Sequence, residues 1–248
     1  MTQIYIDSIH GTPENQQTST CFCLASSFFR TYIIMKKILI LLLLATTTLL
    51  SGCALGRRTV DLNIPQLTPA SANRGAVHIA SVEDKRVFEN NPRTPFTPSI
   101  DGDATAMTPD QQNKMIGRKR NIYGMALGDI ALPENETVTQ KVLALVESAL
   151  KQRGYQITPD TSVPVTATVS VDEFWAWCTP GFGGGSFEAR VTCTVVLTKA
   201  GSPVSVTIRG YGISKGHVAS DANWQLPYER AFADFLENFS KELDKTPF

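Results

Sequence analysis

The 248-residue sequence has little that would draw it to a highly charged partner, a metal ion or the bilayer interior. Its 23 basic and 23 acidic side chains cancel, so we expect no broad electrostatic attraction to nucleic acid. The three histidines, His10, His78 and His217, are scattered, and no two cysteines have zinc-ligand spacing. No apolar run reaches the roughly 20 residues that span a bilayer as a helix. These absences argue against a nucleic-acid partner, a metal site and a membrane-spanning helix.

The sequence also lacks the motifs of common catalytic and nucleotide-binding sites. The glycine-rich stretch 181–185 is not followed by a Gly-Lys-Ser/Thr ending, so it matches neither a phosphate-binding loop nor a dinucleotide fingerprint. Ser214 with His217, and Asp172 with Glu173, are sequence neighbours without the spacing of a catalytic set. We therefore expect a protein that is not an enzyme and that carries no cofactor.

A secretory signal is present within the first quarter of the chain. Met35, Lys36 and Lys37 form a short basic start. They precede an apolar run of about 12 residues that ends near Leu49, which is the length of a signal peptide's central region. This pattern predicts export from the cytoplasm.

The four residues after the apolar run match the lipobox of bacterial lipoproteins. Leu50, Ser51 and Gly52 are the predicted recognition residues of the signal peptidase, and Cys53 is the predicted lipidation site. The match implies several acyl chains, which anchor a protein stably where a single chain holds it only marginally. Ala54 resembles the residues that permit export to the outer membrane. We expect a lipid-anchored envelope protein at the outer membrane, facing the periplasm; an uncleaved helix with an incidental cysteine is the alternative.

The lipobox divides the chain into a leader and a mature part. Residues 1–34 are mixed and polar, and we interpret them as a non-native or disordered extension, with translation beginning at Met35. Within residues 83–133, prolines and glycines predict a long loop, with a short strand or hairpin limb between Arg118 and Leu127. The predicted organisation is a signal peptide at 35–52, a lipidated cysteine and flexible tether at 53–74, and one globular domain at 75–248.

Hydrophobic periodicity predicts the fold of this domain. Thr137 and Gln140 have the spacing of a capping box before an apolar helical stripe that ends at Gly154. Residues 223–244 repeat apolar side chains at helical spacing. Strands are predicted at residues 77–82, 155–157, 163–178, 187–199 and 204–213. We therefore predict an α+β fold, with a mainly antiparallel sheet of about four to five strands and two helices packed on one face.

Cys178 and Cys193 are the cysteines of the mature domain that are not assigned to lipid. The periplasm permits a disulfide between them. A regular hairpin around residues 181–185 would place them several positions out of register, whereas a bridge needs Cα atoms about 4.4–6.8 Å apart. A disulfide and a buried free Cys193 both remain open.

The aromatic side chains suggest a surface for a ligand or a partner. Trp175 and Trp177 point to the same side of one strand, and Tyr123 lies in the predicted long loop. If exposed, the indoles would stack on a glycan or contact a partner. The alternative is that they cover the core beneath a helix.

The predicted elements together resemble a known family. The lipobox, the strand at Val77–Val82, the helix that ends in Ala149–Tyr155 and the closing helix are similar to the YajG-type family of small, uncharacterised outer-membrane lipoproteins. The likeness covers most of residues 75–243, although the insert at 83–133 and the tryptophan-rich hairpin depart from the shorter family pattern. It implies no catalytic residues.

Two functions from different classes follow from this pattern. The first is an envelope lipoprotein with a non-enzymatic binding or assembly role, which contacts a protein partner through its sheet edge or its long loop. The alternative is a carbohydrate-binding module for cell-wall or surface glycan, with Trp175, Trp177 and Tyr123 as the stacking residues.

Overall fold

The structure is a computed structural model that describes residues 35–37, 39, 56–71, 73–181, 183–217 and 220–245. The elements below belong to the second of the two units into which the chain divides, residues 54–248. The predicted extension at 1–34 and most of the predicted signal peptide lie outside the described residues. The same holds for the lipobox cysteine, Cys53.

The strands form one eight-stranded mixed sheet, so the prediction of four to five mainly antiparallel strands was wrong. Parallel pairs join β1 to β4, β2 to β5, β2 to β6 and β3 to β6. Antiparallel pairs join β3 to β4, β6 to β7 and β7 to β8. The strands are β1 Arg58–Thr59, β2 Gly75–Asp84, β3 Met115–Arg120, β4 Ala126–Ala131, β5 Tyr155–Ile157, β6 Val165–Gly181, β7 Gly184–Lys199 and β8 Ser202–Gly216.

The long central strand β6 explains the mixed topology. One edge of β6 pairs with β7 along the whole strand, from Val165 to Gly181. Its other edge is shared, because β2 pairs with the first part, up to Val171, and β3 pairs further on, at Ala176 and Trp177. β2 continues to β5, and β3 continues through β4 to β1. The meander β6–β7–β8 was predicted from the alternation of apolar and polar residues. The parallel pairing of β2 and β3 with β6 needs crossover connections, and that alternation carries no information about them.

Two long helices pack against a common hydrophobic core. Helix α1 is the single turn Pro109–Gln112, α2 is Val138–Gln152 and α3 is Asp221–Lys245. The Thr137 hydroxyl accepts the Gln140 N–H and the Gln140 side chain accepts the Thr137 N–H, as the capping box predicted. Both α2 and α3 contribute buried side chains to the same cluster as the sheet, among them Leu145 and Phe232.

Helix α3 lies directly on β8 because two glycines allow a close approach. A Cβ atom at Gly212 would overlap the carbonyl oxygen of Pro227, and one at Gly210 would overlap the carbonyl oxygen of Ala231. The alternation of β8 places both glycines on its buried side. The backbone of the helix therefore takes the space that side chains would need.

Polar side chains of α3 also cover the free edge of β8. Asn238 donates to the carbonyl oxygen of Arg209 at 2.9 Å, and Asp234 accepts the N–H of Tyr211 at 2.9 Å. Arg230 donates to the carbonyl oxygen of Ile213. Four helical residues rise about 6 Å and two strand residues about 6.7 Å, so every fourth residue of α3 meets every second residue of β8. This part of the edge is closed to a further strand.

Part of the segment predicted as a flexible tether, from Val60 to Leu67, packs against the domain. Val60 and Leu62 are buried, and the carbonyl oxygen of Leu62 accepts a hydrogen bond from Lys141 Nζ at 2.6 Å. The Ser148 hydroxyl donates to the carbonyl oxygen of Pro65 at 2.9 Å. The structured domain thus includes residues well before Gly75. The alternation of Val60, Leu62 and Ile64 was a sequence signal for this packing.

The segment predicted as a long loop, residues 83–133, contains β3, β4 and α1 and is fixed by a buried arginine. Arg86 uses all five guanidinium N–H donors, two of them toward Asp84 at 2.7 and 2.8 Å. The other three reach the carbonyl oxygens of Met115, Phe174 and Gln112 at 2.6, 2.9 and 2.7 Å. Phe174 lies between the part of β6 that pairs with β2 and the part that pairs with β3. Arg86 therefore fills the gap between the two parallel branches.

We predict that Arg86→Ala destabilises the domain by about 3–5 kcal/mol, because the Asp84 carboxylate loses its cationic partner and three carbonyl oxygens lose their guanidinium donor. Chemical denaturation followed by circular dichroism measures this. Lys85→Ala is the matched control, since Lys85 is exposed and pairs with Glu83 at the surface, and it should leave the denaturation midpoint unchanged. Equal midpoints for the two variants would contradict the assigned role of Arg86.

We predict that Gly212→Ala lowers stability by about 1–3 kcal/mol, because the added methyl group displaces α3 from β8. Ser205→Ala on the exposed side of the same strand is the control. Thermal unfolding monitored by tryptophan fluorescence distinguishes the two, since Trp224 of α3 is buried. A Gly212→Ala protein as stable as the control would show that the helix does not need this approach.

Candidate functional site at the hairpin end

One end of the sheet gathers the turns of two hairpins and the point where the chain enters the domain. Strands β3 and β6 are parallel, with Arg118 opposite Trp177, so both end on the same side. The β3–β4 turn at residues 121–125 and the β6–β7 turn, of which Gly181, Gly183 and Gly184 are described, therefore lie at one edge of the domain. We call these two turns, together with Gly56, the hairpin end.

The chain enters the domain beside the β3–β4 turn. The N–H of Gly56 donates to the carbonyl oxygen of Leu127 at 2.9 Å, and β1 then runs parallel to β4 with Arg58 opposite Ile130. Gly128 has a φ of +145°, and a Cβ atom there would overlap the backbone of Gly56. The close contact between the two glycines fixes the entry point of the chain at the hairpin end.

The β3–β4 turn is held by its own polar groups and exposes apolar side chains. The Asn121 side-chain oxygen accepts the N–H groups of Tyr123 and Met125, each at 2.9 Å. Gly124, with a φ of +79°, supplies the left-handed residue of the turn. Ile122, Tyr123 and Met125 are 72%, 80% and 60% exposed. The turn thus presents three large, mainly apolar side chains on a backbone held by the Asn121 hydrogen bonds.

Two shallow clefts flank the end of β6. The first has a volume of about 340 Å³ and lies between the β3–β4 turn, residues 92–95 and residues 178–180, with Arg93 and Arg120 in its wall. The second has a volume of about 320 Å³ and is lined mainly by the β6–β7 turn and residues 215–217. Arg120 is held in place in the wall of the first cleft, because it donates to the carbonyl oxygen of Gly124 at 2.9 Å and to the Ser99 hydroxyl at 3.0 Å.

A buried carboxylate lies below the entry point of the chain. Burial raises the pKa of Asp129, while the backbone N–H of Asp101, which donates at 3.0 Å, and the guanidinium of Arg118 act in the opposite direction. Arg57 lies 4.0 Å from Asp129 and its side chain is 62% exposed. Asp101, whose side chain is 82% exposed, also lies 3.6 Å from Arg118, so the exposed charges near this contact are those of Arg57 and Asp101.

The structure places the two predicted tryptophans away from the surface. Trp175 is 1% and Trp177 is 3% exposed. Trp175 donates its indole N–H to the carbonyl oxygen of Pro95 at 3.2 Å, and the Arg190 guanidinium lies 5.0 Å from the Trp177 ring centroid. The covering residues come from the segment after β2, not from a helix. The stacking surface expected from the indoles is thus absent, and of the three predicted aromatics Tyr123 is exposed.

The two cysteines of the domain are separate free thiols. Cys193 lies opposite Val171 on β6, seven residues before Cys178, which is about 23 Å along a strand. The predicted possibility of a disulfide is therefore not realised. Burial, followed by the negative charge of Glu188, raises the pKa of Cys178 to about 11, and burial raises that of Cys193 further.

Metal ligands, membrane-spanning helices and the lipobox can be judged only for the part of the chain that the structure describes. No three His, Cys, Asp or Glu side chains there are grouped to hold a metal ion. Within the same residues, no helix has the length and apolarity needed to cross a membrane. The predicted recognition residues Leu50, Ser51 and Gly52 and the lipidation site Cys53 lie outside the described part of the chain.

Comparisons with known proteins give only distant likenesses. No protein-family model and no curated protein matches the chain. One similar solved structure is an uncharacterised protein, at 10% identity, covering 77% of this chain and 95% of the other, with a TM-score of 0.32. Another is XCC0632 from Xanthomonas campestris, of family DUF330, at 9% identity, with coverages of 77% and 96% and a TM-score of 0.38.

A third similar structure is described as a homologue of neuraminyllactose-binding hemagglutinin from Helicobacter pylori. Its identity is 10%, the coverages are 73% and 92%, and the TM-score is 0.29. Similarities of this size assign neither a function nor a ligand to the chain.

The exposed apolar turn was only partly predictable from the sequence. Tyr123 was singled out, and a hairpin limb was expected between Arg118 and Leu127. Asn121 and Gly124 were an additional local signal, because they have the residue types of a tight turn. The position of Gly56 beside this turn had no such signal, since it depends on the pairing of β1 with β4.

We predict slow alkylation of Cys178 in the folded protein. Raising its pKa from 9.0 to about 11 lowers the thiolate fraction near neutral pH, and the greater nucleophilicity of the thiolate offsets part of this, leaving a rate roughly tenfold below that of a peptide thiol. The rate should continue to rise with pH until about 11. Iodoacetamide labelling with peptide mapping measures it, and Cys193 should react only after unfolding. A rate equal to that of a peptide thiol at pH 7 would contradict this environment.

Proposed function

We propose that the chain is a lipoprotein of the bacterial cell envelope, anchored by acyl chains on Cys53 at the periplasmic face of the outer membrane. The domain has a non-enzymatic binding or assembly role toward an envelope protein. Cleavage before Cys53 makes this residue the first of the mature chain, and the lipid then confines the domain to a membrane surface.

The observation that carries the proposal is the position of the lipobox relative to the domain. Leu50 to Cys53 follow the basic and apolar signal segment, and Gly56, the first described domain residue, comes three positions after the cysteine. Cleavage before Cys53 would therefore leave every strand of the sheet intact, since β1 begins at Arg58.

The structure narrows the surfaces available for a partner. Side chains of α3 occupy the edge of β8 around Tyr211, so addition of a partner strand there is blocked. The exposed side of β7 and β8 remains accessible, where Tyr211 and Ile213 are 43% and 41% exposed. The glycan alternative has lost its main support, because the two tryptophans that it required are buried.

The resemblance to the YajG-type lipoproteins supports the same class of function. It includes the helix that ends before Gly154 and the strand β2, and we propose a distant relationship on that basis. A structure of a family member with the same eight-stranded mixed sheet would support this relationship.

We predict that the protein made in bacteria carries a lipid on Cys53 and fractionates with the outer membrane. Cys53→Ser should lack the lipid and leave that fraction, because the thiol is the acceptor of the diacylglyceryl group. Mass spectrometry of the N-terminal peptide and membrane fractionation measure both effects. Cys178→Ser is the matched control, and it should retain lipid and location. An unchanged mass and location for Cys53→Ser would overturn the proposal.

The binding role is tested in the same strains by crosslinking in living cells. A photoreactive residue in place of Ile213 should yield a reproducible protein adduct in the anchored protein, and the adduct should weaken in Cys53→Ser. The same residue in place of Asp160, which is exposed in the turn before β6, is the control. Equal adducts from both positions would contradict a specific partner surface.

A further inference from the structure

The position of Gly56 limits how far the domain can lie from its anchor. The three steps from Cys53 to Gly56 span at most about 11 Å of extended chain. The Gly56 N–H is bonded to the carbonyl oxygen of Leu127, which is only two residues from Met125 in the β3–β4 turn. An acylated Cys53 would therefore hold this turn close to the surface of the bilayer.

The chemistry of the turn fits a lipid surface. Ile122, Tyr123 and Met125 are large exposed apolar side chains within five residues of Leu127, the hydrogen-bond partner of Gly56. Tyrosine, with an apolar ring and a polar hydroxyl, is enriched where hydrocarbon meets water. The Asn121 side chain already holds the turn in one conformation. Entry of the turn into the headgroup region therefore costs little backbone conformational entropy.

The charges around the turn are also compatible with phospholipid headgroups. Arg57 is largely exposed next to Gly56, and Arg93 is exposed in the wall of the cleft beside Tyr123. The carboxylate of Asp129 is buried, and that of Asp221 is paired with Arg58. The exposed cations Arg57 and Arg93 can contact anionic headgroups at this end, where Asp101, 3.6 Å from Arg118, adds one exposed carboxylate.

We propose that the β3–β4 turn is a second membrane contact, in which Ile122, Tyr123 and Met125 enter the headgroup region beside the acyl chains of Cys53. This inference rests on the proposed lipidation. The contact fixes the orientation of the domain, so that the hairpin end faces the membrane and the opposite end of the sheet faces the periplasm.

The test uses the lipidated protein, reconstituted in phosphatidylethanolamine and phosphatidylglycerol vesicles, with an environment-sensitive fluorophore on a single reactive cysteine. In a Cys178→Ser background, Tyr123→Cys and Ile122→Cys carry the probe at the turn. Val87→Cys is the matched control, because Val87 is apolar and 74% exposed but follows β2, away from the hairpin end. Spin-labelled lipids then quench any probe that lies at the headgroup level.

We expect quenching of at least about twofold at positions 122 and 123, as for side chains held at the interface, and none at position 87. Circular dichroism confirms that each labelled variant is folded. Unquenched probes at both turn positions in protein whose lipid is verified by mass would overturn the membrane contact and leave the anchor proposal intact. Absence of lipid on Cys53 would instead overturn the anchor proposal. Equal quenching at position 87 would contradict a fixed orientation.

Discussion

The fold depends on how Arg86 completes the shared edge of β6. Strands β2 and β3 pair with different parts of this edge, and the carbonyl oxygen of Phe174 lies between them. A buried carbonyl without a donor is costly, and the planar guanidinium has enough N–H groups to satisfy several carbonyls and one carboxylate together. Lysine, with a compact ammonium group, cannot reproduce this geometry. One side chain thus joins the two branches of the sheet.

The two faces of the sheet are covered in different ways. The helices α2 and α3 bury one side with conventional apolar packing. The other side is covered in part by the segment between β2 and β3, where Phe88 and Ile100 pack with Trp175 and Trp177. Arg86 ties this segment to the sheet, so the burial of the tryptophans and the completion of the β6 edge depend on the same anchoring residue.

The sequence predicted elements whose signals are local. The Thr137 capping box gave the start of α2, and the strict alternation around Cys193 gave the buried side of β7. Strand β3 was obscured because Arg118 and Lys119, which suggest a solvated loop, are buried in the structure. The packing of Leu62 and the pairing of β1 depend on distant parts of the chain. The sequence therefore indicated Tyr123 of the hairpin end, but it did not indicate that Gly56 lies beside the turn that contains Tyr123.

The covering of β8 by α3 would matter most if the domain is confined to a leaflet, as proposed. Tethering raises the local concentration of a protein and lets neighbouring copies meet repeatedly in related orientations. An unprotected strand in such a layer would favour edge-to-edge association between copies. Asn238, Asp234 and Arg230 occupy the backbone groups through which such association would begin. In the proposed lipid-anchored form, the closing helix would thus remove the Arg209–Ile213 part of this edge from contact between neighbouring copies.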